Sequence, residues 1–523
     1  MDALHSLTLG DLLRENRRRF PLRTAGVCGG ERWTYPELDE RVNRLANALL
    51  GAGFEPGDRV LWLGQNCHRL FECLFAVAKI GGIVVPANWR QTAAELAFQI
   101  EDVDARVVIW QDEEIGDAVR EARSSVSSAA RWLQHDVPNA DGPNTEGRRD
   151  DSYEEFIATG APDDPDIDVD PFSGVLAIYT AAFGGRPNGA LLSHFGFILE
   201  NLTVAMLQHL DSDAIYLNSG PLFHVGSFMT TMATFQQGGT NVFMARFDAE
   251  EFCRLVDAER CTTGYVVGNI MDRVVEVNRD GQYDLTSLRL PGTPEWNAMV
   301  SAESTPWSRN AGGYGQTEVN GLVTFRGIGG DHEGTHGRTL PLAQLRIVDE
   351  DDHELGPGEV GEIVVRGPTA MVGYLHRPEI NEHRQRGGWH HTFDLGRREI
   401  DGSITFIGPM TTMIKSGVEN IYPAEVEAAI ARHAGVAEVC VIGVPDAEWD
   451  QCVKAVVVAV AGVEVTDHDI IEHCKRNIAS YKKPRSVEFT DALPRDVNGM
   501  VDRNAVDAAF GGGGYPGPKR TRG

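Results

Sequence analysis

Tyr179-Thr180-Ala181-Ala182-Phe183-Gly184-Gly185-Arg186-Pro187-Asn188-Gly189-Ala190 is the stretch on which the fold turns. The residues leading into it, 175–180, are apolar and β-branched and predict a buried strand. Three glycines and a proline then break the chain into a loop, and Ser193 offers an N-cap to a helix starting near Phe195. Strand, glycine-rich turn and helix together turn backbone N–H groups toward a phosphate. The Walker spacing G-x-x-x-x-G-K-[ST] is absent, so in isolation an ordinary turn is the commoner meaning of such a loop.

On the N-terminal side, Leu38, Val42, Leu45 and Leu49 recur at helical spacing and stop at Gly51. Strand runs follow at 59–63, 83–86 and 107–110, with a helix at 71–80 between the first two. This alternation predicts a largely parallel, doubly wound sheet. Residues 112–170 are rich in Ser, Asp, Glu and Pro and read as a surface excursion with some helix and no chemistry. On the C-terminal side, strand signals recur at 214–217 and 240–243. Between them Pro221-Leu222-Phe223-His224 enters a helix from Phe228. Short alternating strands at 345–348 and 362–365 predict a small antiparallel unit. A compact α+β unit occupies the region after Met410, with helices at 423–432 and 467–479 and strands at 439–444 and 453–460. The glycine-rich stretch 511–523 reads as a disordered tail.

A chain of 523 residues exceeds one hydrophobic core, so at least two domains are expected. The net charge of −28 argues against sequence-independent nucleic-acid binding, which needs a basic footprint. Eight cysteines show neither C-x-x-C pairing nor zinc spacing, and no apolar run reaches the roughly 18 residues of a membrane span. A cytoplasmic protein with reduced thiols is the expectation.

Six ordered landmarks carry a resemblance to the adenylate-forming superfamily of acyl-CoA synthetases, adenylation domains and luciferases. The opening loop resembles its phosphate loop, Y-T-S-G-T-T-G-x-P-K-G. Val85-Pro86-Ala87-Asn88-Trp89-Arg90 and Pro221-Leu222-Phe223-His224 are similar to stretches of fatty and aromatic acyl-CoA ligases. Tyr314-Gly315-Gln316-Thr317-Glu318 matches Y-G-x-T-E, Thr392-Phe393-Asp394-Leu395-Gly396-Arg397 resembles T-G-D-x-G-R, and 415–423 resembles K-S-G-G-E-N-V-Y-P. The likeness runs from about Leu7 to Val506.

The resemblance implies an α/β fold with a large N-terminal domain (1–408) of doubly wound sheets plus a small β unit. It also implies a small mobile α+β lid (409–510). It implies ATP- and Mg²⁺-dependent activation of a small carboxylic acid to an acyl-adenylate, then transfer to CoA. A homodimer is compatible with it. Glu318 is implied as the Mg²⁺ ligand, Thr317 as a donor to the α-phosphate, and His224 as the residue between acyl pocket and nucleotide. The nucleotide cradle is implied to use Thr180, Gly184, Gly185, Gly189, Tyr314, Gly315 and Gln316, with Asp394 on the ribose and Arg397 beside it. Lys482 is implied as a contact to a CoA phosphate. Phe228, Met229, Met232 and Phe235 follow His224 at helical spacing, a stripe readable as an acyl tunnel or as core.

Four departures fall on chemistry. Ala181, Phe183 and Asn188 replace the loop's hydroxyls and lysine, and Met500 stands where the adenylation lysine belongs. The hinge 408–412 lacks the usual arginine and aspartates, and 290–295 lacks the G-G-A-P stretch that cradles adenine. Each lost cation removes a factor of about 10²–10³ in transition-state stabilisation, and Arg186 or Arg495 are candidate substitutes. A divergent acyl-CoA synthetase for a fatty or aromatic monocarboxylic acid is therefore the first expectation. Altered chemistry on the same fold (an unusual acid or oxyanion, or thioesterification alone) is the second, and a non-catalytic ligand-binding homologue the third.

Overall fold

The computed structural model describes residues 3–136, 151–180, 187–266, 270–301, 303, 305–309, 312–410, 412–417, 419–495 and 501–513. Gly184, Gly185, Arg186 and Met500 lie outside the described residues, as does most of the predicted tail. Gly512 and Gly513, placed in that tail by sequence, instead donate their N–H groups to Asp507 and Gly443.

The chain is α/β, with a large N-terminal domain and a small C-terminal one. The largest sheet has eight strands, in the order Gly373–Tyr374, Asn188–Ser193, Gly174–Thr180, Ile83–Pro86, Arg59–Leu63, Val107–Trp110, Arg131–Gln134 and Asp151–Ser152. The six from Gly174–Thr180 onward are parallel, and the two at the other end are antiparallel. Apart from half-buried Arg59, the central strands are fully buried apolar runs, as a parallel sheet covered on both faces requires. The helix His68–Ile80 is buried along nearly its whole length, its Phe71 and Phe75 packing edge-on. A second sheet of five strands lies beside it, ordered Thr263–Gly264, Ile215–Asn218, Thr240–Phe243, Thr24–Cys28 and Glu31–Thr34.

Two sequence expectations fail here. The glycine-rich stretch does not lead straight into a helix. A strand intervenes: Asn188–Ser193 pairs antiparallel with Gly174–Thr180 before Ser193 caps the helix His194–Gln208. Within that strand Gly189 is a packing position rather than a loop donor: a Cβ there would meet the Tyr179 ring at 3.0 Å. The region 112–170 is likewise no mere excursion. It adds two strands to the sheet, and fully buried Tyr153 donates from its hydroxyl to Glu72 at 2.7 Å.

The predicted antiparallel unit is a four-stranded sheet of Gln344–Val348, Val360–Arg366, His390–Arg398 and Ile404–Pro409. In the C-terminal unit, Asp450–Ala459 pairs with Val436–Asp446, with Ile414–Ser416 and with Ser486–Phe489. The helices Pro423–Ile430 and Asp467–Asn477 bury Val426, Ile430, Ile470 and Cys474 in one core with these strands. No helix among the described residues is long and apolar enough to cross a membrane.

Candidate active site

Where the large domain meets the C-terminal unit lies a cavity of about 720 Å³. Its floor is built by a tight hairpin, Gly315–Gln316 against Gly321–Leu322. A Cβ on Gly315 would stand 1.8 Å from the Gly321 carbonyl, so only glycine permits this closeness. The turn between the strands is a single 3₁₀ turn, Thr317–Val319, ended by Asn320 at a φ of 61°. It presents Thr317 and Glu318 to the cavity.

Asp394 reaches the same floor from the strand His390–Arg398 and is 8% exposed. The Tyr314 hydroxyl donates to its Oδ2 at 2.7 Å and Gln316 Nε2 at 2.5 Å. Burial pushes its pKa up, against those two donors, to about 6. Tyr314 also stacks on Phe406, ring centroids 5.3 Å apart. Glu318 is 4% exposed, and the Tyr374 hydroxyl donates to its Oε1 at 2.7 Å. Its second carboxylate oxygen has no hydrogen bond among the described residues.

His224 opens onto the cavity just before the helix Val225–Gln237. Its ring is open to the cavity space, and desolvation by the surrounding walls, opposed by Glu419 and aided by Arg90 and Lys415, lowers its pKa. Of the apolar stripe after it, only Met229 lines the cavity; Phe228, Met232 and Phe235 belong to the core around Phe71 and Phe75. That half of the stripe's reading resolves as core.

The cavity also gathers Thr180, Gly315 and Gln316, so these expected residues and Thr317, Glu318, His224 and Asp394 share one space. Arg397 does not join them: its guanidinium pairs with Glu399 at 2.8 Å. Asn188, at the lysine position, is held by Arg377, whose Nε donates to Asn188 Oδ1 at 3.0 Å and whose Nη2 meets Asp102 at 2.6 Å. Arg495 pairs with Glu438 at 2.6 Å, away from the cavity. Residues 290–297 form a capped short turn whose Trp296 donates to the Leu290 carbonyl; they do not reach the cavity.

The C-terminal unit closes the cavity with Lys415, Glu419, Asn420, Tyr422, Glu425, Tyr481 and Lys482. Lys482 lines the space but is not offered to a ligand in this arrangement. Its Nζ donates to Glu425 at 2.6 Å and to Glu95 at 2.8 Å. Burial opposes its charge, yet Tyr481, Glu425 and Glu95 outweigh burial and raise its pKa. Glu95 is the capping-box residue of the helix Ala93–Val103: one carboxylate oxygen serves Thr92 and the other ties the C-terminal unit. The Lys415 ammonium, by contrast, donates among the described residues to the Asn420 side-chain oxygen alone, at 2.9 Å, and burial lowers its pKa. The motif at 415–423 carries no role for Lys415 by sequence, because its place in the cavity depends on how the unit docks, which no local pattern encodes.

Residues 13–375 match the family described as AMP-binding enzyme, and 425–499 match the AMP-binding enzyme C-terminal domain. The chain is 34% identical to a feruloyl-CoA synthase of Amycolatopsis sp over 509 residues, 96% of this chain and 99% of that protein. It is 31% identical to a fatty acid–[acyl-carrier-protein] ligase of Streptomyces coeruleorubidus over 529 residues, 98% and 99% of the two chains. Among solved structures, the amide bond synthetase McbA of Marinactinospora thermotolerans shares the fold at a TM-score of 0.79, with 23% identity, covering 96% of this chain and all of that one. The chain therefore belongs to the AMP-binding enzymes of the adenylate-forming superfamily.

Proposed function

We propose that the chain is an AMP-forming acid–thiol ligase. It activates a monocarboxylic acid with an aromatic or fatty body as an acyl-adenylate and passes the acyl group to CoA. One observation carries this reading: a single cavity holds Thr317, Glu318 and Asp394 on one side and the apolar wall of Phe223, Val225, Met229 and Leu322 on another. Lys415 and Lys482 are the lysines lining it among the described residues, and no arginine does. Lys482 is already paired with two carboxylates, so among the described residues Lys415, bound to the Asn420 side-chain oxygen, is the one cavity lysine without a carboxylate partner. The names of the relatives, feruloyl-CoA synthase and fatty acid ligase, support an aromatic or aliphatic acyl body.

In this reading Asp394 accepts from the ribose hydroxyls, and Tyr314 and Gln316 fix its orientation. Thr317 donates to the α-phosphate. His224 donates one ring N–H hydrogen bond to the acyl carboxylate. Mg²⁺ fits Glu318, whose second oxygen is unengaged, and when bound it would neutralise phosphate charge. No cluster of three or more His, Cys, Asp or Glu suited to a metal exists among the described residues, so Glu318 would hold the ion together with phosphate and water oxygens. We place the boundary of the moving lid after residue 408, where Pro409 ends the strand Ile404–Pro409 opposite Asp394 and stiffens the pivot.

The face that the lid turns to the cavity favours a second reading, efficient thioesterification with slow adenylation. Lys415 and Asn420 are presented, Arg495 is not, and the lysine position at Asn188 is filled by an amide already bound to Arg377. ATP–pyrophosphate exchange over a panel of aromatic and fatty acids tests the first reading; exchange with none of them would overturn it. Synthetic acyl-adenylate plus CoA, yielding thioester without any exchange, would establish the second.

A further inference from the structure

The acyl side of the cavity is walled by Val225 and Met229, one helical turn apart, and by Gly321 and Leu322 just after Glu318. Behind that wall stands a carboxyl group for which the reaction above has no use. Glu200, on the helix His194–Gln208, is 2% exposed. Its Oε1 accepts from the Leu322 backbone N–H at 3.3 Å, its one hydrogen bond among the described residues. A Cβ on Gly321 would stand 3.3 Å from Glu200 Oε1 and 2.1 Å from Met229 Sδ. The absent side chain at 321 is thus the gap through which the thioether and the carboxyl approach the cavity wall.

The surroundings are apolar. Val204, one turn beyond Glu200, packs with Met229 and Ala233. Burial pushes the Glu200 pKa up to about 8, so the carboxyl is protonated near pH 7. It then carries an O–H donor in addition to its acceptor oxygens, with one backbone donor to satisfy them. The same turn holds Asn320, 1% exposed, neither of whose amide atoms has a partner among the described residues. Buried polar groups without partners are rare in native proteins and ask for an explanation. Methionine is the most adaptable of apolar side chains, so a rotation of Met229 is a low-cost route from cavity to carboxyl.

We propose that Glu200 is a specificity-determining residue: a neutral carboxyl that hydrogen-bonds an uncharged oxygen substituent on the far end of the acyl body, with Met229 as the gate in front of it. This rests on the acid–thiol ligase reading and narrows its substrate class to acids bearing a hydroxyl, ether or keto oxygen. An ammonium substituent is excluded, since it would create an ion pair in an apolar wall and leave both charges desolvated.

The test compares 3-phenylpropanoic acid with 3-(4-hydroxyphenyl)propanoic acid, and octanoic with 8-hydroxyoctanoic acid, in the full-length protein. Thioester formation and calorimetric binding in the presence of AMP are read in parallel. The wild type is expected to favour the better-fitting hydroxylated acid by tenfold or more in kcat/KM and in Kd. Glu200→Gln should keep most of that preference, and Glu200→Leu should abolish it while the unsubstituted acid binds as well or better. Equal affinities in the wild type, or a preference that survives Glu200→Leu, would overturn the assignment. A binding preference without any turnover would instead overturn the ligase reading and leave this one standing.

Discussion

The cavity has two walls made in different ways. The wall supplied by the large domain is pre-arranged: Asp394 and Glu318 are 8% and 4% exposed, and Tyr314, Gln316 and Tyr374 donate to them over 2.5–2.7 Å. The wall supplied by the lid is tethered. Lys482 reaches Glu95 across 387 positions of sequence, and Arg90 reaches Glu419 across 329, the latter at 2.8 Å from a side chain 37% exposed. Arg90 also stands 5.5 Å from the Phe223 ring and 5.6 Å from the Tyr481 ring, joining the loop before His224 to the lid. Buried hydrogen bonds in low dielectric hold a geometry fixed, whereas a few charged ties can be exchanged for water when a domain swings. The two-step reaction proposed above would use both: one fixed surface and one whose ties can be exchanged.

The comparison is broken most directly by removing a carboxylate from the fixed wall. Glu318→Gln keeps shape and the Tyr374 contact but loses the charge. ATP–pyrophosphate exchange should fall by about 10²–10³-fold, the usual cost of one well-placed electrostatic group. Asp394→Ala should raise the KM for ATP as well, with thermal stability unchanged or improved, because a carboxylate held above its ordinary pKa is a strained charge. A loss below tenfold from either change would mean that this wall is not where the nucleotide sits.

How much of this was legible in one sequence follows from how local each feature is. The strands at 59–63, 83–86 and 107–110 are continuous apolar runs whose burial needs no partner to be recognised, and they form as expected. Thr317, Glu318 and Asp394 were legible because their motifs fix type and spacing together. The strand Asn188–Ser193 was not, since a proline and two glycines around it carry stronger turn signals than its short apolar core. Nor were the short strands Arg131–Gln134 and Asp151–Ser152, which polar neighbours disguise and parallel pairing onto the sheet stabilises. Lys482 is a docking tie only because of Glu95, and Met229 alone of its stripe faces the cavity because Phe228, Met232 and Phe235 are buried in the core instead, Phe235 against Phe71 and Phe75.

The tethered wall is sharpened by Lys482→Met. Buried Glu425 and half-buried Glu95 then lose their shared cation, an arrangement that costs up to about 3–5 kcal/mol unless the groups separate or take up protons. Separation is available here, so the expected response is an opened lid rather than an unfolded protein. Proteolysis between the domains, near residues 409–423, should accelerate. Thioester formation from supplied acyl-adenylate should drop by about tenfold, while pyrophosphate exchange changes by less. Adding Glu95→Gln to the same chain should recover part of the loss. Equal damage to both half-reactions would show that Lys482 serves the fixed wall too.

The smallest effect concerns the proton on Asp394. Its pKa is raised to about 6, above the unfolded value, so its contribution to stability is present at low pH and is lost as pH rises through 6. Ligand binding runs the other way, because only the ionised carboxylate accepts from two ribose hydroxyls. AMP affinity should therefore be flat above pH 7 and weaken by about tenfold for each unit below 6, as expected for competition with one proton. The Tyr314 hydroxyl is one of the two donors that hold this pKa down, so Tyr314→Phe should move the inflection upward by less than a unit. At pH 6.5 that amounts to a few-fold loss of affinity that vanishes by pH 8. An inflection that stays put in Tyr314→Phe would assign the titration to another group, with His224, also in the cavity, the first to examine by the same pH series in His224→Asn.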